Sequence, residues 1–143
     1  LIGGLSVGVV VVVSFTLVGE VLLGGAVDTQ PALDLFAEMT ELGPRILMGA
    51  TVVALAPVFE EILFRGFLYR NLREAIGREG ALVVSSLLFG LVHMEPHLVL
   101  PLAGLGLVLA IVFELTGSLV VPILVHATWN LGQLVSVLVL VSG

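Results

Sequence analysis

From Pro44 to Tyr69 the chain reads PRILMGATVVALAPVFEEILFRGFLY. A predominantly apolar stretch of about 20 residues is what a helix needs to cross a hydrocarbon core about 30 Å thick, and this one is long enough. Its backbone groups can only be satisfied internally in lipid, so the stretch predicts a transmembrane helix, with Pro44 suited to its first turn. Glu60, Glu61 and Arg65 interrupt it deep inside. An ionisable group near the bilayer centre costs roughly 2.5–3.5 kcal/mol on insertion scales, so three on one helix mark a place where the chain uses them.

Working outward, the same composition extends over nearly all of the 143 residues: 59% are hydrophobic and 11% charged, with a mean hydropathy of +1.25. That is far outside the range of soluble domains and predicts an all-α membrane protein, a polytopic transmembrane helical bundle. Five spans are expected. They run over about 1–27, with Glu20 inside, then 44–69, 81–94, 96–115 and 119–141. The chain opens on Leu1, inside an apolar run and without a basic segment, so 1–143 is expected to be a single transmembrane domain within a longer chain. Between the first two spans, Asp28 to Gly43 is acidic, with Asp28, Asp34, Glu38 and Glu41, and is expected to hold a short interfacial helix over 32–42. The third span should stop before Pro96, which steers Glu95 out of the helix.

Orientation follows from basic residues in short loops. Arg70, Arg73 and Arg78 lie between the second and third spans, so connector 70–80 is expected on the cytoplasmic side. The net charge of −6, with five arginines and no lysine, argues against nucleic acid as a partner. Cysteine is absent, which excludes a disulfide framework, a thiolate metal site and a cysteine nucleophile.

The polar residues inside the spans fall into a pattern. Glu61 and Arg65 stand four apart with the acid first, the favourable order for an ion pair on one helix face. Pairing them leaves Glu60, about 100° round the helix, to face something else. His126 and Asn130 repeat the four-residue spacing on the last span, so imidazole and carboxamide project from one face. His93 comes from the third span, and Phe89, one turn earlier, is placed to wall the site. A carboxylate, two imidazoles and an amide from three helices are components for hydrolysis: Glu60 as general base for water, His93 holding that water, His126 and Asn130 meeting a developing oxyanion.

Each element of the pattern also has a plainer reading. Buried ion pairs such as Glu61 with Arg65 can serve packing alone, and a single intramembrane His or Asn can simply bridge helices. His93-Met94-Glu95-Pro96-His97 imitates the H-x-E opening of a zinc deaminase signature, but without cysteine the remainder cannot exist, and Glu95 and His97 read as an interfacial turn. Glu20 and Glu114 lie near span ends, where they would snorkel. Intramembrane carboxylates and imidazoles also serve proton relays, so a proton-coupled transporter is a competing class; no second half repeats the Glu60 to Arg65 pattern as many transporters would.

The segment Ala56-Pro57-Val58-Phe59-Glu60-Glu61-Ile62-Leu63-Phe64-Arg65-Gly66 resembles the EExxxR motif of the CPBP intramembrane proteases, which include CAAX prenyl endopeptidases and bacteriocin-processing proteins. Phe89-Gly90-Leu91-Val92-His93 is similar to that family's FxxxH motif. Thr116-Gly117-Ser118-Leu119, followed by His126-Ala127-Thr128-Trp129-Asn130, resembles its closing HxxxN segment. The resemblance covers about 45–135 and implies an intramembrane endopeptidase with its site inside the bundle. By that resemblance Glu60, His93, His126 and Asn130 are catalytic, with Glu61 and Arg65 supporting. It further implies a peptide or protein substrate, either a CAAX-type prenylated peptide or a leader-type peptide, and a prokaryotic cell membrane as the setting. The alternative within the same architecture is a non-catalytic membrane scaffold or bacteriocin-immunity factor.

A metal remains an open alternative at this point. Glu60, His93 and His126 are a ligand set that zinc accepts. The absence of an H-E-x-x-H pair, and the poor fit of an amide such as Asn130 to zinc, favour a glutamate mechanism without a cofactor.

Overall fold

In the computed structural model, residues 31–142 are described, and among them every regular element is a helix. The expected first span and Glu20 lie outside the described residues. Helix α1 is Pro31–Glu38, α2 Leu42–Ala50, α3 Ala56–Glu61, α4 Arg70–Leu91, α5 Val99–Thr116 and α6 Val120–Ser142. Two π-helical stretches, Thr51–Leu55 and Ile62–Tyr69, link α2 to α3 and α3 to α4 without a break in the helical path.

The first π stretch has an identifiable cause. Pro57, at the start of α3, has no N–H and crowds the carbonyl one turn before it, so a regular α-ladder cannot pass through this point. The helix widens instead, and Ala56 N–H donates to Thr51 O, five residues back. Pro57 would be the five-residue donor for Val52 and has nothing to give, which leaves the Val52 carbonyl for another partner.

Among the described residues, three apolar helical runs are long enough to cross a membrane: Leu42–Leu91, Val99–Thr116 and Val120–Val139. The first is interrupted at Gly77, whose φ of 77° and ψ of 174° leave the helical region. The expected connector 70–80 is therefore helical on both sides of a single-residue break at Gly77, and Gly80 stays within the helix that follows. Elsewhere the boundaries move by a few residues. The turn Val92–Leu98 is longer than Pro96 alone suggests, and α5 begins at Val99 once Leu98 N–H has donated to Glu95 O at 2.9 Å.

Among the described residues, packing gathers three apolar clusters. Phe64, Phe89, Leu98, Leu102, Leu105, Leu109 and Val125 surround the centre of the bundle. Tyr69, Ala81, Leu82, Ala110 and Phe113 form a second layer toward the Gly77 end. Leu33 and Phe36 dock α1 on Leu134 and Val137 of α6, so the expected interfacial helix is shorter than 32–42 and packs against the bundle. Outside these clusters, Phe59, Phe67, Leu100 and Leu115 are each more than 60% exposed, an apolar outer surface suited to lipid.

Candidate active site

Glu60 and Glu61 end α3, and the second π stretch carries Arg65 one turn later. Glu61 and Arg65 are both buried, at 0% and 2% exposure. Arg65 Nη1 donates to Glu61 Oε1 at 2.9 Å, and Arg65 Nη2 donates to the Gly106 carbonyl of α5 at 2.6 Å. The pair predicted from the four-residue spacing is present, and it also ties the Glu60 helix to α5.

Glu61 has a second partner that spacing along one helix could not reveal. His126 Nδ1 lies 3.0 Å from the same Glu61 Oε1. A carboxylate oxygen accepts, so Nδ1 carries the proton and Nε2 is turned the other way. That Nε2 stands 3.7 Å from Glu60 Oε2. His93, expected within the third span, lies in the turn just after α4 and approaches the same oxygen with Nε2 at 4.0 Å. Its Nδ1 lies 2.8 Å from Phe89 O, a carbonyl that can only accept, so His93 also keeps its proton on Nδ1. Both imidazoles thus present Nε2 to Glu60 Oε2, which is buried and makes no hydrogen bond within the protein.

Phe89 is the apolar support of this group and is fully buried. Its ring centroid lies 5.2 Å from that of His93 and 5.6 Å from that of His126, and the Arg65 guanidinium carbon sits 4.8 Å from it. Phe64 closes the other side, edge-on at 5.0 Å. A ring that touches both imidazoles and the guanidinium holds their spacing without competing for hydrogen bonds.

Asn130 is placed differently from the other five. Its Nδ2 donates at 2.8 Å to Val52 O, the carbonyl released by Pro57, and so joins α6 to the π stretch before the site. Only one of its two N–H groups is used there. A proline five residues after Val52 was the signal in the sequence for an orphan acceptor. Trp129 is partly buried against the central cluster. Among the described residues, no group of three or more His, Cys, Asp or Glu side chains is arranged to hold a metal ion.

Glu114, expected to snorkel from its span end, is half-buried and fully paired there. It accepts from Tyr69 Oη at 2.9 Å and pairs with Arg73 at 2.8 Å and Arg78 at 3.6 Å. Glu95 and His97 sit in the turn after α4, 3.9 Å apart.

An all-helical integral membrane protein with two glutamates and two histidines converging from α3, the turn after α4 and α6 defines a narrow class. The family described as type II CAAX prenyl endopeptidase Rce1-like matches residues 42–132, a segment that includes Glu60, Glu61, Arg65, His93, His126 and Asn130. The chain belongs to this family of membrane proteases. It is also 29% identical over 103 residues to the "Putative membrane peptidase YdiL" of Bacillus subtilis (strain 168), a match spanning 72% of this chain and 40% of that protein. No solved structure matches the chain.

Proposed function

We propose that this chain carries the catalytic core of an intramembrane endopeptidase in which Glu60 is the general base, working without a metal. The observation that carries the reading is the meeting of Glu60 Oε2 with Nε2 of His126 at 3.7 Å and of His93 at 4.0 Å, each imidazole fixed through its Nδ1. These separations exceed a hydrogen bond and suit a small group shared between the three.

In this reading the shared group is the attacking water. Glu60 Oε2 takes one proton while the unprotonated His93 Nε2 accepts the other hydrogen and holds the oxygen in line. The oxygen adds to the scissile carbonyl carbon, and the carbonyl oxygen becomes an oxyanion. His126, when protonated on Nε2 as well, donates to that oxyanion, with the Glu61 carboxylate behind Nδ1 stabilising the imidazolium. The second N–H of Asn130 is the companion donor. As the tetrahedral intermediate collapses, the proton on Glu60 passes to the leaving amine and the C–N bond breaks. Glu61 and Arg65 orient this group and do not touch the substrate.

In the proposed enzyme the chain makes about five spans, with the site inside the bundle and connector 70–80 on the cytoplasmic side. Family membership, together with the peptidase title of the Bacillus relative, supports a peptide substrate; the substrate proposed is a CAAX-type prenylated or a leader-type peptide. The test is product analysis by mass spectrometry with both peptide classes, with and without chelator, for the intact protein and its Glu60→Gln variant. Cleavage that survives chelation and falls about 10²–10⁴-fold in Glu60→Gln, with the unfolding midpoint unchanged, is the expected result. Undiminished cleavage by Glu60→Gln would overturn the assigned base, and loss of cleavage on chelation would overturn the metal-free mechanism.

A further inference from the structure

A second polar site begins at Tyr69, at the far end of the π stretch that follows Glu60 and Glu61, and shares no residue with the first. It is a cavity of about 540 Å³ lined by Tyr69, Arg70, Arg73, Glu74, Arg78 and, from the end of α5, Phe113, Glu114 and Gly117. Three guanidinium groups face two carboxylates there. Glu114 is fully engaged, with Oε2 accepting from Tyr69 and Oε1 paired with Arg73 and Arg78. Arg70 is exposed, lies over the Phe113 ring at 5.3 Å, and makes no ion pair among the described residues. Arg78 also lies 3.9 Å from the exposed Glu79 outside the lining, so the lining itself keeps an excess positive charge at Arg70, a planar donor able to bind an oxyanion bidentately.

Its surroundings are amphipathic. The arginines flank the Gly77 break and face the end of the apolar helix Val99–Thr116, and a basic cluster between apolar runs belongs at a headgroup layer. Phe67, Ile76 and Leu115, within a turn of lining residues, are exposed at 64%, 50% and 75%. Soluble phosphate would use only the arginines, whereas an anionic phospholipid uses both the guanidinium groups and the apolar surface beside them.

We propose that this cavity is a binding site for the phosphate headgroup of an anionic phospholipid, with Arg70 as its principal ligand. Tyr69, Glu114, Arg73 and Arg78 form the preorganised wall, and Arg70 supplies the unpaired charge.

The proposal is tested by titrating the intact protein with phosphatidylglycerol in a phosphatidylcholine background and counting bound lipid by native mass spectrometry. The wild type should show one saturable phosphatidylglycerol site, weakened about tenfold in Arg70→Gln, as expected for loss of a charge-assisted contact. Arg45→Gln serves as the control, since Arg45 is a base elsewhere on the surface, over Phe36; its affinity should be unchanged. Circular dichroism establishes that both variants stay folded. Equal affinity of wild type and Arg70→Gln, or equal weakening by Arg45→Gln, would overturn the site. Displacement of phosphatidylglycerol by inorganic phosphate at matched concentration would identify a soluble phosphate as the ligand and overturn the lipid assignment.

Discussion

At the scale of single residues, Glu61 is the side chain whose surroundings exceed what its spacing announced. One oxygen of a fully buried carboxylate serves both Arg65 and His126, so its charge neutralises a buried guanidinium and sets the tautomer of an imidazole. Removing one partner of a buried pair leaves an uncompensated charge, at a cost of about 3–5 kcal/mol. Glu61→Gln keeps the size and loses the charge, and is expected to lower stability by about that amount, measured by thermal unfolding in detergent. Cleavage should fall by about 10–100-fold at a temperature where the variant is still folded, because His126 loses the partner that orients it. An unchanged midpoint and rate would remove Glu61 from the supporting role. The i,i+4 pair with Arg65 was legible from the sequence because both partners share a helix. The contact with His126, 65 residues on, was not, because nothing local specifies which helix packs against that face.

At the scale of elements, hydropathy announces the helices and says nothing of their winding. Pro57 forces the π stretch, and its consequence, an orphan Val52 carbonyl met by Asn130, appears only when α6 is in place. The contact between α4 and α5 depends on a small residue. A Cβ on Gly90 would run into the Val99 carbonyl oxygen and meet Ala103 N at 3.0 Å, both backbone atoms that cannot turn away. Gly90→Ala is therefore expected to separate the two helices and destabilise the protein by about 1–3 kcal/mol, read as a lower unfolding midpoint. His93 follows three residues later, so the cleavage rate should drop as well. Full stability in Gly90→Ala would show that the two helices are not in such close contact.

For the whole molecule, the decisive event is a change of direction. On a continuous helix Glu60 and His93 would be about 50 Å apart, yet their side chains stand 4.0 Å from each other. Between Arg70 and Leu91 only Gly77 departs from helical geometry, so the chain reverses there, in a φ region that other residues adopt at a cost of about 1–3 kcal/mol. Arg73 and Arg78 flank the reversal and both pair with Glu114 of α5, a clamp across the bend. Gly77→Ala should accordingly lose about 1–3 kcal/mol, followed by chemical denaturation, and should weaken cleavage by misaligning Glu60 and His93. Wild-type stability in that variant would mean that the bend does not require glycine.

Sequence by itself determined the all-helical membrane class and the six polar residues worth following, because hydropathy and the i,i+4 repeat are local properties of a chain in lipid. It also carried the family motifs in their order. Tertiary structure alone decided that Glu60 faces two Nε2 atoms, that Glu61 bridges Arg65 and His126, that Asn130 spends one N–H on Val52, and that Glu114 gathers Tyr69, Arg73 and Arg78. The physical reason is that each of these partnerships joins residues on different helices. Their distances depend on the Gly77 reversal and on close contacts such as Gly90 with α5, which no single helix encodes.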